Sequence, residues 1–137
     1  PDESIREIYL MCAAVIAAWR YADRRARPDT SFSGVFDHFV ANLAFWGALS
    51  WCLEWPWLAA GLPLLAALAW ASVRHGLDTG RESFLVYGIV YAAIGVCAAA
   101  VPRLHGITAS LGFVLIVVCT AAATLWQLRR RLREPTP

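Results

Sequence analysis

Lysine is missing from the sequence, so all 12 basic residues are arginine, and charged residues of both signs make up only 16% of the chain. An ordinary soluble domain carries roughly 25%. Ten acidic residues leave a formal net charge of +2, too small to imply a nucleic-acid partner. The four cysteines, Cys12, Cys52, Cys97 and Cys119, form no Cys-x-x-Cys pair and have no histidine beside them, which excludes a sequence-encoded zinc site. They read as buried small apolar side chains, and a disulfide between Cys52 and Cys97 is not expected. No phosphate loop, nucleophile elbow or metal-ligand cluster is present. The expectation is a non-enzymatic protein without metal or cofactor. No secretory signal is recognisable, and because Pro1 is not an ordinary translation start, a longer parent protein is expected.

What is abundant is apolar surface, with 59% of the 137 residues hydrophobic, more than a core of this size can hide from water. Charge-free stretches cover 39–53, 56–73, 83–102 and 106–128, which are 15, 18, 20 and 23 residues long. At a rise of about 1.5 Å per residue, the last two cross a hydrocarbon layer of about 30 Å unaided. The first reaches that length if extended over 36–55, with Asp37 and Glu54 near the interfaces, and the second if extended to His75. Pro56 suits the first turn of a helix, so spans one and two read as a tight hairpin. Segments 74–82 and 102–105 have turn compositions. The fold expected is all-α: an integral membrane four-helix bundle of two antiparallel hairpins, preceded by an N-terminal amphipathic helix. Residues 1–35 would form that helix and a basic linker, 36–128 the four-span domain, and 129–137 a basic cytoplasmic tail. An offset of 45 or 46 residues aligns Phe39 with Phe84, Cys52 with Cys97 and Pro56 with Pro102, too sparsely to establish a repeat.

Arginine placement predicts orientation, since cytoplasmic segments carry the basic excess. With the N-terminal segment, the middle connection and the tail on one side, 11 arginines lie there and Arg103 alone lies opposite. Both termini are therefore expected in the cytoplasm. Trp51, Trp55 and Trp57 mark the outer boundary and Trp70 and Trp126 the inner one, while Trp46 falls within the first span. In the N-terminal helix, Ile5, Ile8, Tyr9, Cys12, Val15, Ile16 and Trp19 share one face. Its uncharged core, 8–19, suits an interfacial or docked helix followed by the headgroup-binding Arg20, Arg24, Arg25 and Arg27; the alternative is a short fifth span placing Asp2, Glu3, Arg6 and Glu7 outside.

Polar residues inside a membrane need partners or a purpose. Asp37, His38 and Asn42 on the first span, with Tyr87 and Tyr91 one turn apart on the third, are the candidate polar path. Such groups can relay protons; equally, Asp37 and His38 can mark the interface while Asn42 bonds a neighbouring helix. Gly88 with Ala92, and Ala44 with Ala48, are small-x-x-x-small pairs that predict close helix contact. Thr108, Ser110, Thr120 and Thr124 can bond within their own helix. The middle connection offers Arg74, His75, Asp78, Arg81 and Glu82, a set able to hold a phosphate or to act as acid and base, and equally readable as a solvated turn.

The segment from Phe84 to Tyr91 followed by Ile94 and Gly95, together with His38 to Leu43 and Gly47 to Leu49, resembles uncharacterised bacterial multi-pass membrane proteins. That resemblance implies a multi-pass fold and carries over no activity and no site residue. The all-arginine, alanine-rich composition is similar to that of proteins from bacteria with GC-rich DNA. The function expected is a membrane-embedded structural or interaction module of a larger bacterial protein in the inner membrane. Its partners would be the lipid bilayer, copies of itself or other membrane subunits, and no nucleic acid. The alternative is a small transporter or channel component using the polar path; a soluble helical bundle is disfavoured by the all-round apolarity of spans three and four.

Overall fold

Five helices follow one another along the chain: α1 (Glu3–Ala26), α2 (Ser33–Leu53), α3 (Leu58–Thr79), α4 (Glu82–Ala100) and α5 (Ile107–Arg133), with a 3₁₀ turn at Val101–Arg103. This is a computed structural model, and it describes residues 3–26, 33–53 and 57–133. The readings attached to Asp2, Arg27, Glu54, Trp55 and Pro56, and to the side chains of Glu3, Ile5, Arg6 and Arg24, lie outside the described residues. The all-α expectation holds. Three helical segments, Leu58–Thr79, Glu82–Arg103 and Ile107–Arg133, are long and apolar enough to cross a membrane. The helix expected as the first span, α2, is 21 residues long, carries Asp37, His38 and Asn42, and is not one of those three.

The centre is a trio. Helices α2, α3 and α4 pack on one another, α1 lies against α2, and α5 rests chiefly on α4. The core cluster is Phe45, Ala48 and Cys52 of α2 with Leu65 and Ala69 of α3, all buried. The rings of Trp51 and Trp57, 5.8 Å apart, join the end of α2 to the start of α3, as the tight hairpin required. Small residues let the backbones close up: a Cβ at Gly61 would stand 2.8 Å from the Cys52 nitrogen, and one at Gly88 2.7 Å from the Ala69 carbonyl oxygen. Gly88 thus makes the close α3–α4 contact that its pairing with Ala92 predicts, and Ala48 is fully buried. Ser72 adds a buried hydrogen bond from α3 to α4, its hydroxyl donating to the Phe84 carbonyl at 2.8 Å.

Three expectations need correction. First, the connection placed at 74–82 shrinks to Gly80 and Arg81, because α3 continues through His75 and Gly76 to Thr79. Gly76 is a helical packing glycine facing Leu85, and it is Gly80, at φ 67°, that ends the helix, where a side chain would strain the backbone. The basic residues Arg129, Arg130, Arg131 and Arg133 continue α5 as helix. Second, Arg20, expected among lipid headgroups, is buried together with Ala13, while Ile8, Tyr9, Val15 and Trp19 of the apolar face are exposed. Third, Cys12 and Cys119 are exposed; Cys52 is buried, and all four cysteines are free. The last two share one cause: in a bilayer the outward surface is the apolar one, so apolarity alone does not mark the core.

The register of α1 fixes its direction. Gly47 lies against Leu10, and Arg20 pairs with Asp37, so α1 runs antiparallel to α2 along its length. Its start therefore lies at the end of the bundle where Arg103 sits, opposite Arg133. Arg6, counted above with the basic side, belongs by position to the other end.

Candidate functional site

The polar residues of α2 divide between two neighbours because consecutive helical positions are turned by about 100°. Asp37 faces α1 and the α3–α4 turn. Its carboxylate accepts from Arg20 Nε at 3.2 Å and lies 3.6 Å from Arg81 Nη1. Arg20 also reaches Asp23, one turn along α1, at 3.4 Å. The side chains of Arg20 and Asp37 are only 9% and 11% exposed, so this is an ion pair drawn into the protein, with Arg81 half in solvent completing the charge balance.

His38 and Asn42 face α4. The His38 ring stacks on Phe84 at 4.9 Å and meets the Tyr87 ring edge-on at 5.6 Å. Among the described residues its Nδ1 is buried without a hydrogen-bond partner, so the imidazole holds its place through its faces. Asn42 Nδ2 donates to the His38 carbonyl at 2.9 Å, and its Oδ1 accepts from the Tyr91 hydroxyl at 2.8 Å. Tyr91 in turn stacks flat on Phe45, with centroids 4.6 Å apart. Beyond Phe45 the interior is the apolar core around Ala48 and Leu65.

The structure thus brings His38, Asn42, Tyr87 and Tyr91 into one seam between α2 and α4, and places Asp37 beside it in a separate ion-pair node. The seam is packed ring on ring and closes against Phe45. It works as interhelical adhesion: in a low-dielectric surround each polar group is held by a ring or a hydrogen bond. The Tyr91→Phe variant should lose about 1 kcal/mol of stability, the upper range for interhelical hydrogen bonds in membranes, while keeping the Phe45 stack. Thermal unfolding in detergent micelles measures this; an unchanged midpoint would show that the hydroxyl contributes nothing.

The set suggested for phosphate binding or acid-base chemistry is dispersed. Arg74 pairs with Asp78 at 3.8 Å in the open, His75 lies edge-on to Phe84 at 4.8 Å, and Arg81 goes to Asp37. Glu82 binds Arg129 at 3.2 Å and Arg133 at 3.6 Å, pinning the end of α5 to the start of α4. Among the described residues, no group of three or more His, Cys, Asp or Glu side chains comes together as a metal site.

Sequence reasoning missed Arg20 as the inward partner of Asp37, having assigned it to lipid headgroups. A signal was present: Leu10, Ala13, Ala17 and Arg20 recur at helical spacing and form a stripe of smaller side chains ending in one cation. Beside Arg20 and Asp37, a groove of about 370 Å³ opens between α1 and α3 over the surface of α2.

Compared with known proteins, the chain matches no family model, no curated protein and no solved structure. Its three long apolar helices agree with the coarser content of the resemblance noted above, a multi-pass membrane protein.

Proposed function

We propose that this chain is a non-enzymatic, membrane-embedded structural or interaction module of a larger bacterial protein, resident in the cytoplasmic membrane. The observation that carries the reading is the inversion of polarity between inside and outside. Ile107, Leu111, Leu115, Ile116, Val118 and Trp126 of α5 are each more than half exposed, and α5 has no buried residue. Meanwhile Arg20, Asp37, Asn42 and Ser72 are held inside by partners. An aqueous surface would not favour that exchange, whereas hydrocarbon does. The bacterial assignment is supported by the arginine-only, alanine-rich composition and by the segments that resemble bacterial multi-pass proteins.

Orientation follows from charge. Among the described side chains, one end of the bundle gathers Arg20, Arg25, Arg74, Arg81, Arg129, Arg130, Arg131 and Arg133 against Asp23, Asp37, Asp78 and Glu82, and the other end holds Arg103. We place the basic end in the cytoplasm. With α2 spanning as well, the antiparallel docking of α1 makes it the fifth membrane helix, its apolar outer face toward lipid and the Glu3 end outside. This adopts the fifth-span alternative over the two-termini-inside expectation. The charge-poor stretch 8–19 lies level with 38–49 of α2 in this register, so both helices carry their charges at the same depths.

Alkaline extraction of membranes from cells making the C-terminally tagged chain tests the membrane reading. Retention in the pellet is expected, and release into the supernatant would overturn it. In sealed spheroplasts, an epitope at the N-terminus should be cut by external protease while the tag at Pro137 survives. Protection of both would restore an inward-facing α1 end.

A further inference from the structure

Resting on that membrane placement, we propose that the groove between α1 and α3 holds one anionic phospholipid, its headgroup at Arg20 and an acyl chain over α2. The lining changes character along its length. At the basic end stand Arg20, Asp37 and His75; toward mid-membrane the walls are Ala44, Phe45 and Leu68. The distance from Asp37 to Phe45 along α2 is about 12 Å at the helical rise, close to the depth of one leaflet's hydrocarbon, about 15 Å. A volume of about 370 Å³ lies within the range of ligand clefts, about 300–1,000 Å³. An occupant must therefore be polar at one end only and apolar below it, and it must enter from the bilayer side.

Charge selects the headgroup. Arg20 lines the groove with its side chain nine-tenths buried, shared between Asp37 and Asp23. Tyr21 also lines the groove, and the Arg25 guanidinium stands 4.6 Å over its ring. Arg81 faces Asp37 from the α3–α4 turn, so Asp37 is already claimed by two guanidinium groups. Arg20, Arg25 and Arg81 against Asp37 and Asp23 leave one net cation beside the groove, so a phosphodiester without a compensating amine fits better than a zwitterion. A second copy of the chain or a free peptide would have to fit a whole helix or strand into about 370 Å³, whereas a single acyl chain along the alanine-lined wall does not need that width.

The test uses the full chain in mild detergent with native mass spectrometry, titrating phosphatidylglycerol against phosphatidylcholine of the same acyl composition. One phosphatidylglycerol per chain should be retained, preferred by about fivefold, the factor expected of one net cation near a membrane surface. Ala71→Trp, which fills the groove from α3, should abolish the preference. Ala66→Trp, on a part of α3 that does not line the groove, should leave it intact and also reports on folding. Equal retention of both lipids, or an undiminished preference in Ala71→Trp, would overturn the proposal while leaving the membrane reading in place. A chain that stays monodisperse with no detergent at all would overturn both.

Discussion

Replacing Asp37 by alanine should destabilise the fold by about 3 kcal/mol, the lower part of the range for removing one partner of a buried ion pair. The reason is what remains behind. Among the described residues Arg20 then keeps only Asp23, on its own helix one turn away, while its guanidinium stays nine-tenths buried between α1 and α2. The reciprocal variant, Arg20→Leu, should cost less, about 1–2 kcal/mol, because Asp37 still faces Arg81 at 3.6 Å. The double variant Asp37→Ala with Arg20→Leu should regain part of the loss, since neither charge is then left desolvated. A double-mutant cycle on unfolding in mixed micelles measures all three. Equal small costs for the two single variants would mean that the pair is solvated and does not tie α1 to α2.

Replacing Gly88 by leucine should cost about 3 kcal/mol or more, at the upper end for overpacking a close contact. A Cβ there would stand 2.7 Å from the Ala69 carbonyl oxygen and 2.8 Å from Val73 Cγ2. The valine can turn away, but the carbonyl belongs to the α3 backbone, so the two helices must part and expose the Ser72 to Phe84 hydrogen bond. Gly112→Leu is the matched control: nothing lies within 4 Å of a Cβ at that position on α5, and its stability should stay within about 0.5 kcal/mol of the parent. Similar losses from the two variants would show that helix-intrinsic effects, and not the α3–α4 approach, govern the response to a leucine.

The membrane-length segments were legible because they depend on runs of like residues. The spans at 83–102 and 106–128 became α4 and α5 with their turn at 101–106, where Gly106 adopts φ 98°. The seam of His38, Asn42, Tyr87 and Tyr91 was legible as a group, since polar residues on apolar helices draw notice individually. That Asp37 belongs elsewhere was not legible, because its partner Arg20 sits on a helix whose register against α2 is set by Leu10 fitting over Gly47. Nor was the inward face of α1, since the usual rule that the apolar face is the buried face inverts when the surroundings are lipid. Gly76 was misread as a turn for a related reason: a glycine that lets Leu85 approach and a glycine that breaks a helix are the same letter, and only the neighbouring chain distinguishes them.

The one-sided attachment of α5 has a mechanical meaning. Each helix of the central trio is held from at least two directions, whereas α5 meets chiefly α4, tied at one end by Glu82 to Arg129 and Arg133 and at the other by the short turn after Ala100. A tether drawn from Arg133 therefore loads two ion pairs and a single apolar seam before it loads the core of Phe45 and Leu65. The bundle has a joint built into it at α4, so that tilting or peeling α5 changes one contact surface and leaves the other four helices in register.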